Sequence, residues 1–179
     1  MKTLDHFSIP IEGMKSGIHE KKFSIDNSFF KHFEESMIKS GKFEVLLELD
    51  KRSDLIEMNF DITGDFETVC DRCTAQVDFP LNTQTNLLVK YSEENVEEPN
   101  VLYITRDTHH INISKFIYDS ICLSIPLMKV FDCQQKEPFP CDEAVLEKLD
   151  DFSEEAIENK DEKANPIWEE LKRINFDNK

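Results

Sequence analysis

The sequence predicts an α+β domain: an antiparallel β-meander of hairpin-linked strands flanked by helices, followed by an acidic, flexible C-terminal segment. Three observations carry that reading. Through the middle of the chain apolar residues alternate with polar ones, the two-residue period of a strand with one buried face. On either side, apolar residues recur at helical spacing behind residues suited to helix capping. Beyond Leu149 the apolar residues thin out, and Glu, Asp, Lys and Asn dominate up to Asn165.

In chain order, Asn27 or Ser28 caps a predicted helix through about Lys39, with Phe29, Phe30, Phe33 and Met37 along one side and Gly41 as its stop. Phe43, Val45, Leu47 and Leu49 then alternate with mostly acidic partners. After the polar turn Lys51-Arg52-Ser53-Asp54, so do Ile56, Met58, Phe60 and Ile62. Two alternating runs joined by four polar residues make a hairpin. Gly64 is expected to mark a bulge or the twist of the sheet, with Phe66 resuming the buried face. The longest run follows, from Val77 to Tyr91, with Pro80 pointing to an edge or a bulge. Residues 101–105 add a short strand. Ser114 caps a second helix that buries Ile117, Ile121 and Ile125 and ends at Pro126. Asp142 caps a third helix through Leu149. The organisation expected is one domain over 1–149, an acidic linker over 150–164 and a short amphipathic helix over 165–179, opened by Pro166 and carrying Trp168 and Leu171.

Composition restricts the function. The chain has 179 residues, with 21 Lys and Arg against 37 Asp and Glu, a net charge of −16. A coat of that sign repels phosphate backbones, which argues against broad nucleic-acid binding. The charge is uneven. Residues 1–92 carry −5, 93–99 carry −4, 100–129 are close to neutral, and 130–179 carry −8. An acidic region of this kind is either a solvated loop and tail or the surface that meets a basic protein. With 4 Gly and no Gly-rich phosphate loop, P-loop and dinucleotide-fold enzymes are excluded. Neither a Gly-x-Ser-x-Gly nor a His-Glu-x-x-His pattern occurs, so no reaction is expected. No secretory leader and no run of 18 apolar residues is present, and a cytoplasmic location is expected.

The five cysteines supply the sharpest local signal. Cys70-Asp71-Arg72-Cys73 lies between two strand patterns, at a hairpin tip, and its two-residue spacer lets both thiolates reach one ion. Three readings stay open: a zinc knuckle, plain hairpin cysteines, and dithiol chemistry, which favours a helix N-terminus. Cys133 and Cys141 are the candidates to complete a tetrahedral set, although their spacing is not that of a zinc ribbon. Cys122 reads as a small buried hydrophobe on the second helix, and His109-His110 as loop. The cations Lys21, Lys22, Lys51, Arg52, Arg72, Lys172 and Arg173 are the candidates for any RNA contact. Trp168, Leu171, Lys172 and Arg72 are the candidates for partner binding.

Three features in series resemble one family: the Cys70–Cys73 hairpin leading into the long alternating strand, the helix ending Leu123-Ser124-Ile125-Pro126-Leu127 before a Cys-bearing stretch, and the terminal Asn165-Pro166-Ile167-Trp168-Glu169-Glu170-Leu171-Lys172. Over roughly residues 40–175 the chain is similar to the YceD-like proteins, the large ribosomal RNA subunit accumulation proteins. The resemblance implies a bacterial cytoplasmic protein, without established enzymatic activity, that supports accumulation of 23S ribosomal RNA and large-subunit assembly. Its implied partner is the assembling large subunit, through a basic ribosomal protein or 23S rRNA, with no membrane and no small-molecule substrate. Many members carry a denser second cysteine cluster than Cys133 and Cys141. A zinc-stapled, acidic protein-interaction module without a ribosomal role is the alternative.

Overall fold

The structure, a computed structural model, describes residues 4–34, 36–92, 98–132 and 140–158, with side chains described as far as Asp151. Its centre is the expected meander. Strands β3 (Gly41–Lys51), β4 (Leu55–Val69) and β5 (Gln76–Tyr91) pair antiparallel and in unbroken register, from Gly41↔Phe66 to Lys51↔Ile56 and from Leu55↔Lys90 to Val69↔Gln76. The odd residues of β3 and the even residues of β4 share one face. Phe43, Val45, Leu47, Leu49, Ile56, Met58, Phe60 and Ile62 are all buried there. Alternation in the sequence thus becomes a core on one side and a charged surface on the other.

Because the register is continuous, Gly64 marks no bulge. It pairs with Phe43 on one side and Leu81 on the other. Pro80 pairs in register with Asp65, on a stretch of β5 that has no second neighbour among the described residues, so it occupies an edge.

The sheet extends on both sides, to the order β2-β3-β4-β5-β6. Strand β2 (Gly17–Ile25) pairs antiparallel with β3, although its sequence has little alternation. Strand β6 (Val101–Ile104) falls where expected but runs parallel to β5, from Leu88↔Val101 to Tyr91↔Ile104. A turn through Asn100, in the left-handed region at φ 57°, brings the chain back beside Leu88. This departs from a purely antiparallel meander.

A layer of short elements covers the buried face. Strand β1 (Ser8–Pro10) pairs with β7 (His110–Asn112), which places His110 in a strand rather than a loop. Helix α1 (Asn27–Phe30) is a single turn capped by Asp26, not a helix through Lys39. Ending it early lets the chain drop Ile38 into the core at 1% exposure, while Met37 remains exposed. Helix α2 (Ser114–Leu123) begins at the residue expected to cap it, one position earlier than a Ser114 cap implies. Asn112 performs the capping from two residues upstream, its Oδ1 accepting from Ser114 N at 2.9 Å and from Ser114 Oγ at 2.6 Å. Ile117 and Ile121 of α2 are buried, and the Phe116 ring lies 5.0 Å from that of Phe60. Helix α3 (Glu143–Glu158) has Asp142 at its start, Oδ1 accepting from Ala144 N at 3.1 Å, and runs into the stretch read as linker. The expected terminal helix over 165–179 lies outside the described residues.

Candidate functional site

The β4–β5 connection forms the cysteine hairpin. Cys70 N donates to Ala75 O and Thr74 N donates to Cys70 O, each at 2.9 Å, so the chain closes tightly around the pair. Thr74 takes φ 59°, a left-handed conformation that a β-branched residue rarely adopts. Cys70 and Cys73 are both buried free thiols at 1% and 0% exposure. Burial pushes the Cys70 thiol up. Backbone N–H groups of Phe131, Cys73 and Arg72 point at its sulfur, and with the Cys73 thiol they outweigh burial and hold it below the ordinary thiol value. The geometry gathers donors onto a sulfur at a strand-to-strand turn. Such donors favour the thiolate, the form that metal binding and dithiol chemistry both use.

A second segment clamps the knuckle. Asp71 N donates to Lys129 O at 2.9 Å, and Lys129 N donates back to Asp71 Oδ2 at 2.6 Å. Asp71 is held below the usual carboxylate range first by that backbone N–H and then by the Lys129 ammonium, Nζ 3.5 Å away. The Lys129 backbone contact was not legible in the sequence, because nothing distinguishes one Lys after Pro126 from any other. Cys141 joins the same small buried cluster as Cys70, Cys73 and Val77, with Phe131 and Leu146 packed on it. It is disulfide-bonded here, so it becomes a thiolate donor only on reduction. Cys133 lies outside the described residues. Among the described residues, no three His, Cys, Asp or Glu side chains converge as a complete metal set. The pair therefore fits two corners of a tetrahedral site, with Cys141 packed beside it.

Arg72 is exposed at the tip of this hairpin. The other candidate partner residues, Trp168, Leu171 and Lys172, lie outside the described residues, as does Arg173. The described cations do not gather. Lys51 is taken up internally, Nζ donating to Ile11 O and Met14 O at 2.8 Å each. Arg52 pairs with Asp50 at 2.8 Å and reaches Glu57 at 3.8 Å. Lys21 and Lys22 project to opposite faces of β2. Between Arg52 and Arg72 lies the full length of β4, 15 residues, or roughly 50 Å of strand.

Acidic side chains do gather. The exposed face of the sheet carries Glu20, Glu44, Glu48, Asp50, Glu57, Asp61, Asp65, Glu67 and Asp78 against Lys22, Lys42 and Lys90. Glu20 faces Glu48 directly, and Glu67 faces Asp78, pairings that cost stability. Asp61, near the centre, accepts from Gln84 Nε2 at 3.3 Å through Oδ2, while its Oδ1 is buried without a hydrogen-bond partner. This surface follows from the alternation, yet no single strand reveals it, because its charge appears only when four strands are laid side by side.

A hairpin carrying two buried cysteines, on a mostly antiparallel sheet with one apolar face under helices and one acidic face in solvent, defines a small α+β domain. A match to the family described as Large ribosomal RNA subunit accumulation protein YceD spans residues 58–175, more than half of the chain, and the chain belongs to that family. The description ties the family to accumulation of the large-subunit ribosomal RNA. No curated protein and no solved structure matches the chain. Among the described residues no helix is long and apolar enough to cross a membrane.

Proposed function

We propose that the protein is a non-enzymatic factor of large-subunit assembly, acting in the bacterial cytoplasm to support accumulation of 23S ribosomal RNA through contact with assembling ribosomal components. The observation that carries this reading is family membership over residues 58–175. The charge geometry supports a protein contact over a broad grip on RNA. Nine carboxylates share the exposed sheet face, whereas the described cations are scattered or already paired. A basic ribosomal protein complements such a face, and complementary charge speeds encounter at low salt.

The test is the ratio of mature 23S to 16S ribosomal RNA, with precursor ends mapped, in cells with and without the gene. A fall in 23S restored by the intact gene is the expected result. An unchanged ratio in both rich and stressed growth overturns the reading and leaves an acidic interaction module without a ribosomal role.

Zinc is the cofactor this reading assigns to Cys70 and Cys73, with Cys141 as a further donor once reduced. A bound ion would staple the hairpin tip to the segment around Phe131. Protein purified reduced and without chelator is expected to hold about one zinc per chain, lost when Cys70 and Cys73 are changed to Ser. Metal-free protein with both thiols freely titratable would remove zinc from the account.

A further inference from the structure

Strand β5 is paired along its whole length on one side but only from Leu88 to Tyr91 on the other, where β6 lies. The N–H of Leu88 donates toward the β6 side, to Asn100 O at 2.9 Å, and that of Ser92 donates to Ile104 O at 3.0 Å. By the two-residue period of a strand, the N–H and C=O of Asn82, Gln84 and Asn86 also point outward. Among the described residues no strand meets them. Pro80 has the same parity, so its missing N–H also lies on the outward side, where a proline is tolerated. It closes one end of the open edge and β6 closes the other. Between them, Leu81 to Leu87 carries no charge and no proline, the features that normally blunt a strand edge.

Beside this edge runs a groove of about 600 Å³ between β5 and helix α2. Thr83, Thr85 and Leu87 line it from the strand, and Phe116, Asp119 and Leu123 from the helix. Leu123 is 87% exposed. On the opposite side of the edge lies the acidic sheet face, with Asp61 directly across from Gln84. An added strand therefore presents alternate side chains to two different environments, an apolar-floored groove and the exposed sheet face, where Asn82, Gln84 and Asn86 border the edge and Asp61 is the carboxylate one strand further in.

We infer that this edge binds an extended basic segment of a partner protein, which adds as a strand to β5 opposite residues 82–86. Alternate side chains of the segment are Lys or Arg lying over the acidic face, and those between are apolar side chains entering the groove. A second copy of this chain is disfavoured as the occupant, because edge-to-edge pairing would join two acidic faces into one surface. The inference deepens the proposed contact with a basic ribosomal protein and rests on that reading only for the partner's identity.

The probe is a labelled nine-residue peptide alternating lysine and valine, titrated against the full chain by fluorescence anisotropy. Saturable binding is expected. A peptide N-methylated at alternate backbone amides keeps its charge but loses strand pairing, and is expected to bind at least about tenfold more weakly. Gln84→Pro removes an outward N–H at a position of the same parity as Pro80. It also removes the Gln84 hydrogen bond to Asp61, so it is expected to lower the melting temperature somewhat, and to weaken binding by a similar factor at a temperature where the variant remains folded. Equal binding of the N-methylated peptide would reduce the effect to charge adsorption and overturn the inference. So would no binding at all, preferential binding of single-stranded RNA in competition, or a dimer that dissociates on Gln84→Pro. The two levels separate cleanly. Failure of the peptide alongside a 23S deficit without the gene defeats the site alone, whereas peptide binding alongside an unchanged 23S ratio defeats the ribosomal reading alone.

Discussion

At Gly64 a single hydrogen in place of a side chain lets two strands approach. A Cβ built there would lie 2.1 Å from Lys42 O and 2.7 Å from the Phe43 Cα, both backbone atoms that cannot swing aside. The Phe43 ring also sits 2.7 Å from the same point, so the glycine makes room for a core aromatic on the neighbouring strand. Gly64→Ala is expected to lower stability by about 3 kcal/mol or more, the range of overpacking combined with backbone displacement, read as a shift in the urea midpoint. A change below about 0.5 kcal/mol, typical of a surface site, would show that the strands separate without cost. The sequence marked Gly64 as special but not why, since a bulge and a close approach leave the same lone glycine in an alternating run. The knuckle was similarly half legible. The Cys-x-x-Cys spacing named the pair, whereas the left-handed Thr74 gave no signal, because the residue usual at such a φ is Gly.

Among the elements, those with a strong period were readable and those held by tertiary contacts were not. Strands β3 to β5 alternate because one face is buried along nearly their whole length. Strand β2 lies at the sheet edge and buries only Phe23 and Ile25, so its sequence carries almost no pattern. Helix α1 misled for the opposite reason. Its phenylalanines keep helical spacing, yet they pack on Phe7, Phe43 and Tyr118 from a single turn and the loop after it. That turn depends on its cap, where Asp26 Oδ1 accepts from Ser28 N at 2.9 Å. The Ser28 hydroxyl, and then its N–H, hold Asp26 below the usual carboxylate range. A carboxylate depressed in the folded state adds stability that is complete above its unfolded value of about 3.9 and is lost as pH falls through the folded one. Melting temperatures between about pH 6 and pH 2 are therefore expected to fall less steeply in Asp26→Asn, which caps without titrating, than in the unaltered chain. Parallel slopes would remove Asp26 from the acid response.

For the molecule as a whole, the sequence conveyed the fold class and the acidity but not their arrangement. Net charge is a sum over residues. The acidic face and the open β5 edge are products of register, and register emerges only when β4 is laid between β3 and β5. The same topology fixes an order of events. The meander closes through neighbouring hairpins, while β1 must pair Ser8 with Asn112 across about a hundred intervening residues. On a translating ribosome that emits about 5–20 residues per second, Phe7, Ile9 and Ile11 wait for several seconds before their partner strand exists. Buried in the finished protein, these three side chains spend that interval exposed and sticky, until β7 emerges to pair with β1.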